Sequence, residues 1–203
     1  MIRADYAIDG EIESGAAQLL TAFLDANPGP LTIALNSYGG VAVEGAAIMA
    51  AMERHGQVTV RIDGIAASAA SLAAMGAARI TMHPQALLML HEPSAFAFGT
   101  ADSMRHTAST LDKMTTVYGA GYARATGNPE KWVLDWMKAE TWLSASEAVE
   151  LNFADEVEKT DQSAIVAAFD YGRFRNAPAR LVALAKEKGW ATMPGVKERK
   201  TDA

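Results

Sequence analysis

The sequence predicts an α/β domain built on a parallel sheet, and three observations carry that reading. Residues 31–35 form an apolar run that reads as a buried strand, followed by the turn-forming stretch Asn36-Ser-Tyr-Gly-Gly40 and an alanine-rich helix to about Arg54. The same order recurs at once, with a strand at 58–62, a turn at Asp63-Gly64-Ile65 and a small-residue helix over 66–75. Two strand–helix units in succession imply right-handed crossovers and parallel strands. Third, half of the 203 residues are hydrophobic but only 7% are aromatic, which suits closely packed helices on a sheet better than a sandwich with large aromatic anchors. The length allows one domain with a substantial core plus a tail.

Further along, residues 79–82 and 86–90 read as two short strands, the second delivering His91-Glu92-Pro93 at its carboxyl end. From Thr100 to about Thr126, Met104, Ala108, Leu111, Tyr118 and Tyr122 recur at helical spacing, and Gly127-Asn128-Pro129 is a stop and restart signal. A shorter helix is expected to about Lys138, then a non-helical link over 140–143. Ser144 and Glu147 have the spacing of a capping box for a helix through Leu151. Residues 154–157 suggest a last strand, and 177–188 an amphipathic helix.

Composition removes whole classes of function. There is no cysteine, so disulfides, thiol nucleophiles and thiolate metal sites are excluded, and an intracellular home fits. The first residues lack the apolar core of a signal peptide, and the most apolar window, 65–78, is short of the roughly 20 residues that span a bilayer. No membrane role is therefore expected. The net charge of −6 is uneven: residues 171–203 carry +5, leaving −11 on the rest. Such a body repels nucleic acid, whereas the basic tail is either a docking element or a plain solvated end. No histidine and carboxylate spacing suits a catalytic metal, and no glycine loop carries the lysine of a P-loop, so no cofactor is expected. Trp132, Trp136 and Trp142 read as packing residues.

Candidate chemistry gathers at strand ends. In Gly64-Ile-Ala-Ala-Ser68, small neighbours let a serine sit at a tight strand-to-helix turn, where free backbone N–H groups and the positive helix end favour an oxyanion. The bland alternative is that Ser68 caps the helix and that Ser71 only packs. A serine nucleophile needs a base, and there are four histidines. His55 ends a helix, His106 lies on a helix face and His83 precedes a proline in a turn. His91 follows an apolar run at a strand end, where sites form in parallel sheets.

These residues carry a resemblance. Asn36-Ser-Tyr-Gly-Gly40, Gly64-Ile-Ala-Ala-Ser68, Met89-Leu-His91-Glu-Pro93 and Trp142-Leu-Ser-Ala-Ser-Glu-Ala-Val149 resemble, in the same order, the blocks of the Clp protease proteolytic subunit over roughly residues 6–158. They look closest to the phage and prophage branch, the Clp-like head-maturation proteases. The resemblance implies a ClpP/crotonase fold in residues 1–160, with a projecting handle helix, and a peripheral basic helical tail over 161–203.

It implies a serine endopeptidase with Ser68 as nucleophile and His91 as base. The oxyanion would meet the amides of Gly40 and Ala69, and the segment from Gly39 through Val41 and Ala42 to Val43 would take an extended peptide by strand addition. The third position departs from the family pattern, since the aspartate is replaced by Glu140; Asp135 and Asp155 are the other acids within consideration. The resemblance further implies a homo-oligomer, a heptameric ring or stacked rings with the Met and Tyr stripe in an interface. The setting would be the bacterial cytoplasm or a phage prohead. An ATP-driven unfoldase partner is doubtful, because few residues precede the first predicted strand. Rival readings are a catalytically silent ring subunit and a crotonase-type acyl-CoA enzyme.

Overall fold

The computed structural model describes residues 4–160, 163 and 165–192. Two compact units divide the chain, Met1–Ala167 and Ala168–Ala203.

In the first unit the two expected strand–helix repeats are present but are preceded by a pair that periodicity did not reveal, β1 (Tyr6–Ile12) and α1 (Ala16–Ala26). β1 is interrupted by a register shift at Gly10, which blurs its alternation. α1 has no side-chain cap of its own; its first amides, Gly15 and Ala17, donate to the carboxylate of Glu44 at 3.0 and 2.9 Å, from a helix 27 residues further on. A cap supplied from such a distance leaves no local signal.

β2 (Leu31–Gly40) leads to α2 (Ala42–His55), and β3 (Val58–Ala67) to α3 (Ala69–Ala74). Both strands run through the stretches expected to be turns. The ladder between them shifts instead, Leu35 pairing with Ile62 but Ser37 with Ala66. Gly64 therefore serves close approach rather than a turn: a Cβ there would collide with the carbonyl of Ile165 and lie 2.7 Å from Asn36 Oδ1. The small-residue helix begins three residues later than expected, because residues 66 and 67 complete β3.

β3 then forks. Its first half pairs in parallel with β4 (Arg79–Met82), which pairs with β7 (Glu156–Val157); its second half pairs with β5 (Leu87–Leu90). The link after residue 140 is a strand, β6 (Thr141–Ser144), antiparallel to β5. Every residue of β5 is buried, and β3 is buried at eight of ten positions. Such central strands cannot show alternation. Ile33, Leu35, Ile48, Met52, Ile62 and Leu88 fill the core beneath α1, α2 and α3, each contributing about 1.5–3 kcal/mol by burial.

α4 (Ala101–Thr126) starts at the Thr100 side-chain cap and stops at Gly127, φ 72°. Only Gly119, Tyr122 and Thr126 of its 26 residues are buried. Tyr122, expected on an interface stripe, is 2% exposed within its own chain. α5 (Glu130–Ala139) and α6 (Ala145–Glu150) follow, and α6 has the expected reciprocal capping box of Ser144 and Glu147. Among the described residues no helix is long and apolar enough to cross a membrane.

The second unit contains a 3₁₀ turn (Tyr171–Arg173), α7 (Ala179–Glu187) and a second 3₁₀ turn (Trp190–Thr192). Phe169, Tyr171 and Phe174 form an aromatic cluster with ring centroids 5.4–6.5 Å apart, and Arg173 lies over Phe169. Of the basic residues that prompted the idea of a docking tail, Lys197, Arg199 and Lys200 fall outside the described residues.

Candidate active site

Ser68 stands alone between β3 and α3 with φ 58° and ψ −124°. A non-glycine residue in this region stores about 1–3 kcal/mol and persists only where its surroundings over-determine it. The surroundings are explicit here. The Ser68 amide donates to Met89 O at 2.9 Å, tying the turn to β5, and its carbonyl accepts from Leu72 N at 3.2 Å. Although Ser68 occupies the N-cap position, its side chain makes no cap bond. Its Oγ instead lies 2.7 Å from His91 Nε2. The bland capping reading is thereby excluded.

His91 is the first residue after β5. β3 and β5 pair through Ala67 and Met89, so the two strand tips put residues 68 and 91 side by side. The next backbone amide, Glu92, donates to Met137 O at 3.2 Å, which holds the His91 segment against the end of α5.

Glu140 closes α5 in the left-handed region, φ 53°, and immediately precedes β6. The antiparallel ladder ends with Leu90 paired to Thr141, and one further step of that register would set His91 opposite Glu140. At 6% exposure the Glu140 carboxyl is buried, and a carboxylate in such a place needs donors. One is the Trp142 indole, whose Nε1 lies 3.4 Å from Oε1. The other two acids are engaged elsewhere: Asp135 with Lys131 at 2.7 Å on an exposed face, and Asp155 with the Ile80 amide at 2.6 Å.

The glycine stretch of β2 packs directly on the serine turn. A Cβ on Gly39 would lie 2.7 Å from both Ala67 O and Ser68 Cβ and 3.1 Å from Ala69 N. At φ 101° this backbone also requires glycine. Gly40 is exposed beside it, and Ala69, the first residue of α3, has an amide without an intrahelical acceptor. The expected strand-addition segment is shorter than anticipated. Ala42 and Val43 are already helical, as the first turn of α2, and the Val41 amide donates to Ile12 O at 2.8 Å. Extended backbone therefore ends at Val41, and Val43 presents an exposed side chain from the first turn of α2.

Sequence reasoning missed two participants in this junction. Ser71 and Tyr122 are buried, and Ser71 Oγ lies 2.8 Å from Ser68 O, 2.6 Å from Met89 O and 2.7 Å from the Tyr122 hydroxyl. Burial pushes the Tyr122 phenol well above its ordinary value. Their only signal was position: Ser71 lies one helical turn after Ser68, and Tyr122 was hidden in a stripe of similar residues.

The remaining histidines do other work. His55 Nε2 contacts Asn27 O at 2.8 Å, His83 Nδ1 accepts from the Gln85 amide at 3.1 Å, and His106 is exposed on α4. His83 lines a cavity of about 870 Å³ on the polar side of the sheet, together with Thr59, Arg61 and Thr81. Neither Ser68 nor His91 lines it. Among the described residues no cluster of three or more histidines and carboxylates is arranged for a metal ion.

A strained serine is thus hydrogen-bonded to a strand-end histidine, with a glycine stretch packed against it. The family model for Clp protease matches residues 5–161, which contain every residue of this junction. The match spans more than three quarters of the sequence, and the chain belongs to the Clp protease family and has its fold, a mixed α/β unit with a parallel sheet and a long helix in α4.

Proposed function

We propose that this chain is a serine endopeptidase that hydrolyses peptide bonds through an acyl-enzyme on Ser68. The observation that carries the reading is the 2.7 Å bond between Ser68 Oγ and His91 Nε2 at a serine whose backbone is strained and whose side chain caps nothing. In the working tautomer Nε2 accepts the serine proton as Oγ attacks the scissile carbonyl, then returns it to the leaving amine; water repeats the sequence to release the acid. Glu140 orients the ring from the opposite strand and offsets the charge of the imidazolium. The Gly40 and Ala69 amides receive the oxyanion, each such donor being worth about 10²–10³ in rate. The substrate backbone runs beside Gly39 to Val41 and meets the first amides of α2 at Ala42 and Val43.

A crotonase-type reaction on a thioester would use the two amides but has no need of a serine hydrogen-bonded to a histidine. The four sequence blocks favour the phage or prophage head-maturation role, with capsid-assembly or scaffold proteins as substrate. Members of the Clp protease family form oligomeric rings. A ring of this chain, heptameric as the resemblance implies, is supported by exposed apolar side chains at Phe96, Phe98, Met104 and Val117, on α4 and the segment before it.

The test is a fluorophosphonate probe with the adduct located by mass spectrometry. Labelling is expected at Ser68, to be lost in Ser68→Ala and His91→Ala, and to slow by up to about 10⁴-fold in Glu140→Gln. A folded wild-type protein that stays unlabelled would instead be a silent ring subunit. Activity should rise with pH as the base loses its proton, because only neutral imidazole accepts the serine proton. A flat profile would remove His91 as the base.

A further inference from the structure

We propose that Ser71 and Tyr122 form a pair of positioning residues that hold the nucleophile turn and the base-bearing strand in one geometry. The inference rests on the function proposed above and adds to it two residues outside the triad and the oxyanion hole.

The argument begins with proton supply. Three acceptors meet at this point, namely Ser68 O, Met89 O and the Ser71 oxygen itself. Two hydroxyl protons serve them, from Ser71 and Tyr122. Tyr122 has one near acceptor in Ser71 Oγ at 2.7 Å and a distant one in Ser68 O at 3.4 Å. The economical arrangement has Tyr122 donating to Ser71, which passes its own proton to Met89 O, 2.6 Å away, or to Ser68 O, 2.8 Å away. Ser71, Tyr122 and Met89 are buried and Ser68 is half-buried; each of the two carbonyls also accepts a backbone amide, so what a lost hydroxyl removes is the link between them.

The two carbonyls are what make this bond set functional. One belongs to Ser68, the residue with the strained backbone. The other belongs to Met89, which already accepts the Ser68 amide and lies two residues before His91. Ser71 therefore crosslinks the serine turn to the histidine strand from beneath, and Tyr122 fixes Ser71 from α4. Ser71 is unsuited to be a second nucleophile, since its oxygen is fully buried and engaged with three partners. The hydrogen bond between Ser68 and His91 is a side-chain contact at the tips of two short backbone segments, and an error of about 1 Å in such a contact costs up to about 10²-fold in rate.

The test compares Tyr122→Phe and Ser71→Ala with Thr126→Val. The control removes another buried hydroxyl one turn along α4, whose bond goes to Tyr122 O and not to the serine turn. The expected result is that fluorophosphonate acylation of Ser68 slows by about ten-fold in Tyr122→Phe. It should slow further in Ser71→Ala, with the binding constant for the probe unchanged, whereas Thr126→Val acylates at the wild-type rate. Equal rates in Tyr122→Phe and Thr126→Val would overturn the proposal, and because Tyr122→Phe keeps the ring in place, it decides the matter even where Ser71→Ala does not fold. Should the wild-type protein not label at all, the peptidase reading fails separately. The positioning role is then read from the imidazole nitrogen resonances of His91. Tyr122→Phe is expected to move them toward those of Ser68→Ala, where the bond is gone; resonances identical to wild type would sink it.

Discussion

The junction around Ser68 and the region from Phe96 along α4 lie close in sequence and differ in what holds them. At the junction, backbone touches backbone: Gly39 lies against Ser68, Gly45 has room for no more than a hydrogen where Ala69 O sits 2.5 Å from a would-be Cβ, and all six residues of α3 are buried. Its geometry is therefore complete within one chain. Phe96 and Phe98, in contrast, are 95% and 101% exposed, and most of α4 has no cover from its own chain. Alternating phenylalanines on open backbone are costly to leave in water, which is the physical case for burial between copies. Tyr122 belongs to α4 by sequence and to the junction by contact, so one helix serves both regions.

Three substitutions sharpen that contrast. The largest effect is expected from Gly39→Ala, where the added methyl meets backbone and the positive φ is unfavourable. Labelling of Ser68 should fall by about 10²-fold, with a stability loss of about 1–3 kcal/mol seen in thermal melts. Wild-type labelling in this variant would show that the junction tolerates what its packing forbids. A smaller effect on the fold, but a marked one on assembly, is expected from Phe96→Ser with Phe98→Ser. Light scattering should report a lower molar mass, while denaturant unfolding of the dissociated chain changes by less than about 0.5 kcal/mol, as for exposed sites in general. An unchanged mass would take this segment out of the interface.

The smallest effect concerns Glu44. Amide bonds from Gly15 and Ala17 hold its carboxyl below the ordinary glutamate value. A group whose pKa is lowered on folding adds stability above its unfolded value, about 4.3, and loses it as pH falls through the folded value. In Glu44→Gln that acid dependence should flatten, as followed by melts between about pH 3 and pH 7. A melting curve that falls with acid as steeply as in wild type would show that the contact carries no linkage.

The legible parts of this protein were those encoded locally. The βα order, the stop at Gly127 and the Ser144 and Glu147 cap all depend on residues within a few positions of each other. β1 and α1 were not legible, since one is broken by a register shift and the other is capped by Glu44 from far along the chain. The extent of β2 and β3 was misread because their glycines looked like turn formers, whereas Gly39 and Gly64 make room for neighbouring backbone. A residue type reports the conformations it permits but not the neighbour that requires one of them.

Residue order by itself therefore determined that a serine and a histidine would each stand at a strand end of a parallel sheet, because hydrophobic runs and small-residue turns are short-range properties of the chain. Only the tertiary structure decided that the serine side chain turns to His91 rather than to its own helix. It also decided that β6 pairs antiparallel with β5 as far as Leu90 and Thr141, and that Ser71 and Tyr122 bond beneath the serine turn. Each of these depends on which backbone groups are already satisfied by distant partners, and that is settled when the strands pair and the core excludes water.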